Sequence, residues 1–341
     1  MNNIHSKNIL IFRIGSIGDT VVAIPFFHLI RRIFPNTKIS LLTNTPNSKE
    51  SPLIEVLGKN SGFVDNVINY PSKLSNLSEA IKLIIKLRKC QTETMIYLMP
   101  PRSLIQITRD KIFFKLAGIK HILCMPSNKD QRSTRVNSQT KLVEPEINRL
   151  SRCTSSLGKI KVNDSNQWSL NLSVNEKEIG KKLTEKVTSP FLAIHTGGIH
   201  NDGKNKKDWG YDNWAELIKI FKNKSNASGL MIVGSSDDTD RANALLKIWG
   251  QGGAHICGAT SPRETAAVLS HAKLFCGHDS GPMHLAQCVG APSLGIFGDY
   301  NKPYEWHPIG THVTVIHELK GINQITVSRV LRTMLKKWHN S

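Results

Sequence analysis

The chain has 341 residues, 39% of them hydrophobic and 21% charged, with a formal net charge of +19. That length exceeds what one core ordinarily organises and fits two domains, and the composition excludes a disordered or fibrous chain. Six cysteines without CxxC spacing exclude a zinc ribbon or a disulfide framework, and the apolar run Ile9 to Phe27 is broken by Arg13 and Asp19 before it could span a bilayer. A cytoplasmic protein is the expectation.

In chain order, Asn8 to Ile14 reads as a buried strand, followed by Gly15-Ser16-Ile17-Gly18-Asp19 and a helix from Thr20 to about Phe34. Strand Lys38 to Thr43, a helix near Ser51 to Leu57 and strand Phe63 to Ile68 come next. A helix over Leu74 to Lys89 puts Leu77, Ile81, Ile84 and Ile85 on one face; strand Thr94 to Met99, helix Leu104 to Ala117 and strand His121 to Met125 continue the alternation. Ser127 to Lys141 is polar, basic and without hydrophobic period, and reads as a mobile loop before a helix over Val143 to Leu157.

The aperiodic stretch Lys159 to Leu172 marks a domain boundary. A second series opens with strand Phe191 to His195, Thr196-Gly197-Gly198 and a loop rich in Gly, Asn and Lys that ends at Lys207-Asp208-Trp209. Helix Tyr211 to Lys224 spaces Trp214, Leu217, Ile218 and Phe221 for burial. Strand Leu230 to Gly234, the acidic turn Asp237 to Asp240 and helix Arg241 to Trp249 follow. Ser261-Pro262-Arg263-Glu264 is a capping box that starts a helix to His271. Strand Leu274 to Gly277, a polar turn, helix Pro282 to Val289, strand Pro292 to Phe297 and a last helix over Thr326 to Trp338 complete the chain.

Two series of β/α units predict an α/β protein with two doubly wound Rossmann-like domains facing a cleft. The predicted divisions are 1–165, 166–325 and a C-terminal helix in 326–341 that packs back on the first domain. The turn Asp279-Ser280-Gly281 is the most informative: Pro282 at the first helical position leaves the amides around Ser280, Gly281 and Met283 facing outward as an anion site, with His284 one turn inside. The plainer reading has Asp279 or Ser280 capping the helix and His284 packed in the core. Asp238 stands similarly between a ribose-binding carboxylate and one that complements a helix dipole. Asp19 stands between a functional carboxylate and a cap for a helix at Thr20, and the flanking glycines, which admit a ligand close to the backbone, favour function.

Residues 71–165 hold 18 Lys plus Arg against 7 Asp plus Glu, which supplies +11 of the net charge. A basic face of that size suits nucleic acid, an anionic membrane surface or a phosphorylated substrate, and the plainer reading is a solvated surface. No RNP, KH, helix-turn-helix or zinc-finger pattern supports nucleic acid.

The chain resembles the heptosyltransferases of glycosyltransferase family 9 over nearly its whole length. The residues that carry the likeness are Ile11 to Asp19 with Pro25, Lys207-Asp208-Trp209, Asp279 to Ala286, Gly290-Ala291-Pro292 and Gly295 to Gly298. The resemblance implies a GT-B fold and inverting, metal-independent transfer of a sugar, heptose from ADP-heptose, to an anionic glycolipid such as the lipopolysaccharide inner core. No cofactor is implied beyond the nucleotide-sugar substrate, and contact with the inner membrane face would be peripheral. Asp19 then resembles the catalytic base and Lys207 the donor-phosphate lysine, with Lys204 or Lys206 as substitutes because the loop before it is longer than the family's. Gly18, Thr196, Gly197, Asp238, Asp279, Ser280, Gly281, Met283 and His284 are the donor-side candidates, and Lys129, Arg132 and Arg135 the acceptor-side ones. Alternatives are another GT-B transferase, a nucleotide-sugar epimerase, a catalytically silent sugar-binding relative and a basic nucleic-acid-binding protein.

Overall fold

The apolar run after Asn8 forms the middle strand of a five-stranded sheet in a computed structural model that describes residues 7–45, 51–71, 77–140, 142–197 and 207–340. The chain divides into two units, Met1–Val162 and Asn163–Ser341. The first contains β1 (Asn8–Phe12), α1 (Ile17–Ile33), β2 (Lys38–Thr45), α2 (Pro52–Leu57), β3 (Asn66–Pro71), α3 (Leu77–Lys89), β4 (Thr94–Tyr97), α4 (Leu104–Leu116), β5 (His121–Leu123), α5 (Lys129–Arg132) and α6 (Glu146–Cys153). Its strands are parallel in the order β3-β2-β1-β4-β5, with Ile9 opposite Ile39 on one side and Thr94 on the other. Parallel pairing needs a crossover after each strand, and the helices supply it. Strand order reverses between β1 and β4, so the loop after β1, which leads to Asp19, leaves the sheet at its switch point.

Two expectations change here. Leu83 and Leu87 are the buried residues of α3, packed with Leu10, Phe12 and Met95, whereas Leu77, Ile81 and Ile85 face water. Both sets have helical spacing, and the core takes Leu83 and Leu87 together with Phe114 of α4, with Ile84 of the expected face packed against them. The stretch from Ser127 is also not a free loop. Asn128 caps α5, Val136 bridges Val143, and Arg152 ties Asp130 to Glu144.

The second unit contains α7 (Val174–Thr184), β6 (Phe191–His195), α8 (Tyr211–Lys224), β7 (Gly229–Ile232), α9 (Thr239–Trp249), β8 (Gly253–His255), α10 (Pro262–Leu269), β9 (Leu274–His278), α11 (Gly281–Cys288), β10 (Ser293–Phe297), β11 (Val313–His317) and α12 (Val327–Asn340). The sheet is again parallel, in the order β11-β10-β9-β6-β7-β8, and β6, β7, β9 and β10 are buried along their whole length. The Ser261–Glu264 capping box opens α10 as expected. The last helix packs into this unit's own core through Val330, Met334 and Trp338. All six cysteines are free, and five are buried. Among the described residues no helix is long and apolar enough to cross a membrane.

Candidate active site

In the first unit Ser16 is the N-cap of α1. Its backbone N–H and its Oγ donate to Asp19 Oδ2 at 2.9 and 2.8 Å, and the Asp19 N–H points back at Ser16 Oγ. Asp19 is therefore the third helical residue of a capping box, not the cap of a helix that starts at Thr20. Gly15, at φ +147°, is demanded by this turn, since a Cβ there would lie 2.4 Å from Asp19 Cβ. The glycine makes room for the carboxylate rather than for a ligand. Asp19 Oδ1 accepts no hydrogen bond from a described residue. Gly18 lies half-buried in the same first turn.

Below the turn sits a charged cluster that residue type alone did not signal. Arg13 is fully buried, donates to Leu98 O at 2.9 Å and to Asp19 O, and is pulled down to about 10 by burial. Arg149, equally buried, donates to Met99 O at 2.7 Å and to Glu146, whose carboxyl burial pushes upward. Two guanidiniums thus hold the chain that leaves β4, beside the end of β1, and fix the platform under Asp19.

In the second unit the order reverses between β9 and β6, where His195 lies in register with Gly277. The residues leaving those two strands meet, and Ser280 Oγ is 2.9 Å from His195 Nδ1. Ser280 stands at the N-cap of α11, yet its hydroxyl makes no cap bond. The Ser280 and Gly281 amides donate to no described residue, whereas the Met283 N–H donates to Ser280 O at 3.1 Å and its side chain is buried. The expected three outward amides are two. Asp279 is buried with Lys207 Nζ 2.9 Å from Oδ2, Asn301 Nδ2 donating to the same oxygen, and His284 Nε2 3.9 Å from Oδ1. Lys207 also lies 4.3 Å above the Tyr300 ring.

The neighbours of Lys207 explain its position. Trp209 is buried, donating from Nε1 to Ile325 O at 2.7 Å and from its backbone to His278 Nε2 at 3.2 Å. Asp208 grips Arg241 at 2.9 and 2.8 Å, and Arg241 reaches Thr196 O at 3.0 Å. Gly197, at φ +82°, lies so close to His278 that a Cβ would be 2.4 Å from its Nδ1. Thr196, Gly197 and Lys207 are consequently held in one frame. Asp238 belongs to the frame only indirectly. Its buried carboxylate accepts from Ser235 N–H at 2.8 Å and Oγ at 3.0 Å, both on Oδ2, which is the capping role of the two expected.

The profile of glycosyltransferase family 9 (heptosyltransferase) matches residues 122–338. The chain belongs to this family. No curated protein matches it in sequence. Solved structures do match: a family 9 glycosyl transferase from Veillonella parvula (16% identity, 98% of each chain, TM-score 0.73) and E. coli ADP-heptose lps heptosyltransferase II (18%, 98% of this chain and 99% of that one, 0.69). E. coli heptosyltransferase WaaC with ADP-2-deoxy-2-fluoro heptose also matches (15%, 96% and 99%, 0.65). The two parallel sheets are thus those of a GT-B glycosyltransferase, and the protein is an enzyme of that class.

On the acceptor side, this glycosyltransferase does not leave all three basic candidates alike. Arg135 is committed to Asp130 at 2.6 and 2.9 Å, while exposed Lys129 and half-buried Arg132 make no ion pair with a described residue. Lys141, His200, Lys204 and Lys206 lie outside the described residues. Tyr300, Asn301 and Arg241 were not singled out in the sequence, and Asp208 only as part of the likeness; a polar loop directly after the strand next to the Asp279 turn was the signal for the first two.

One buried and one half-buried histidine make the fold acid-sensitive. His278 Nε2 accepts from Trp209 N–H and from Trp214 Nε1 at 3.3 Å, so its proton sits on Nδ1, and burial holds its pKa at about 3. His307, 2.7 Å from His317, is held at about 4 by burial and then by that neighbour. The unfolded chain takes up these protons near pH 6.5 and the folded one does not, so stability is full above about pH 7 and falls as pH drops toward 4. Each histidine should cost about 2 kcal/mol between pH 7 and pH 5. Urea unfolding at the two pH values should show that loss, and His307→Phe should reduce it; an unchanged midpoint would contradict the assignment.

Proposed function

We propose that this glycosyltransferase moves heptose from ADP-heptose to an anionic glycolipid acceptor, such as the lipopolysaccharide inner core, with inversion and without a metal. The observation that carries the reading is the meeting of Lys207, Asp279 and the two free amides of Ser280 and Gly281 at the N-terminus of α11. That is a set built for a diphosphate: a cation, two donors and the positive end of a helix dipole. Two of the similar solved structures are an ADP-heptose heptosyltransferase and a heptosyltransferase with ADP-2-deoxy-2-fluoro heptose, which supports the choice of donor.

In this reading Asp19 Oδ1 takes the proton of the acceptor hydroxyl. The hydroxyl oxygen attacks the anomeric carbon, the bond to the diphosphate breaks on the opposite face, and the departing negative charge is met by Lys207 and the amides. Thr196, Gly197 and His284 border the phosphate position, and Lys129 and Arg132 attract acceptor phosphate or carboxylate groups.

The test is a transfer assay with ADP-heptose, and with UDP- and GDP-sugars as competitors, on a heptose-deficient glycolipid. Transfer from ADP-heptose in excess chelator is expected. Activity lost with the chelator and restored by Mg²⁺ or Mn²⁺ would overturn the metal-independent mechanism, and release of an epimerised sugar without acceptor would favour the epimerase reading.

A further inference from the structure

Helices α3 and α4 lie side by side on one face of the first sheet, with Arg88 Nε donating to Leu116 O at 2.9 Å. Because Leu83, Leu87 and Phe114 face the core, the 3.6-residue period turns Ile81 and Ile85 of α3, and Ile105 and Ile112 of α4, outward. These side chains are 47%, 49%, 82% and 57% exposed, and Leu77 and Leu116 extend the apolar surface at either end. One exposed isoleucine is ordinary. Six large aliphatic side chains on two adjoining helices are a patch, and patches of this kind mark docking surfaces.

Charge selects the occupant. The two helices carry seven Lys and Arg against two acids. Of the acids, Asp110 is buried, bonded to Tyr97 Oη at 2.7 Å and to Arg109, and Glu79 is half-buried. Lys82, Lys86, Lys89, Lys111 and Lys115 all stand exposed among the aliphatic residues. A second copy of the chain would bring the same positive charge to a two-fold contact. Nucleic acid would satisfy the lysines and leave the isoleucines in water. A bilayer with anionic headgroups satisfies both, since lysine stems lie along the apolar surface while their ammonium groups reach phosphate.

We propose that this outward face of α3 and α4 seats the protein on the surface of an anionic lipid bilayer, without spanning it. The proposal concerns a surface other than the transfer site, and its test uses no sugar. Purified full-length protein is sedimented with vesicles of phosphatidylcholine alone and of phosphatidylcholine mixed with phosphatidylglycerol. Binding to the anionic vesicles is expected, falling about tenfold as salt shortens the reach of the charges. The pairs Ile81→Ser/Ile85→Ser and Lys82→Glu/Lys86→Glu should each weaken binding about tenfold with unchanged thermal melting, because all four side chains are exposed. Lys219→Glu/Lys224→Glu on α8 makes the same charge change elsewhere and should have little effect. No vesicle binding, equal binding to both vesicle types, an equal loss in the α8 pair, or a dimer dispersed by Ile81→Ser/Ile85→Ser would overturn the proposal.

Discussion

Asp19→Asn should lower turnover at saturating donor by a factor on the order of 10² to 10⁴, with nucleotide affinity changed by less than about twofold. The geometry separates the two tasks of this side chain. Oδ2 takes both bonds from Ser16 and closes the capping box, while Oδ1 is the oxygen open to a substrate. Asparagine can present its carbonyl oxygen to Ser16 and so keep the box, but the group then standing at the other position is an amide that accepts no proton. Ser16→Ala is the complementary change. It removes one bond to the carboxylate and should cost about 1 kcal/mol of stability while leaving most of the turnover. If Asp19 served the capping box and nothing more, both variants would stay active, and Asp19→Asn, which keeps the box, would lose little stability. Wild-type turnover in Asp19→Asn would sink the assignment of the base.

Central strands were legible because a parallel strand buried on both faces must be apolar without interruption, as in β1, β6 and β10. The strands that escaped notice, β8 and β11, are the two edges of the second sheet, where residues are half-buried and no apolar run is required. Helix α7 was missed for the opposite reason. Its capping box, Ser173 to Glu176, was there to be read, but the helix buries little beyond Gly180, which touches Ala267 of α10, so no hydrophobic period announced it. At the site, residue type located the Asp279 turn and Lys207 but not the direction of any carboxylate. Asp19 and Asp238 sit in the same kind of capping box, and only Asp19 is left with an oxygen outside it on a half-buried, accessible side chain. Partners distant in sequence were invisible. Arg13 and Arg149 converge on consecutive carbonyls after β4, and nothing in either local sequence predicts a buried guanidinium.

Lys207→Ala should raise the dissociation constant for ADP about 10- to 100-fold and slow transfer as well, because a cation on the diphosphate acts in the ground state and gains as the leaving group's charge develops. The neighbour makes the test sharper. Lys207 rests on Asp279, which is buried and also bonded by Asn301, so deleting the lysine leaves a carboxylate facing the position proposed for the phosphates. Part of the loss in Lys207→Ala is then repulsion and not missing attraction. Adding Asp279→Asn should therefore recover some nucleotide affinity in the Lys207→Ala background, although the same change in the wild type should weaken binding by loosening Lys207. A cycle of the four proteins measures this coupling, which contacts of 2.9 Å make non-additive. Calorimetry with ADP gives the affinities, and turnover with the full donor gives the second readout. An ADP affinity unchanged in Lys207→Ala would remove this residue from the phosphate site; the same experiment with Lys204→Ala and Lys206→Ala would then decide which lysine of the segment meets the donor.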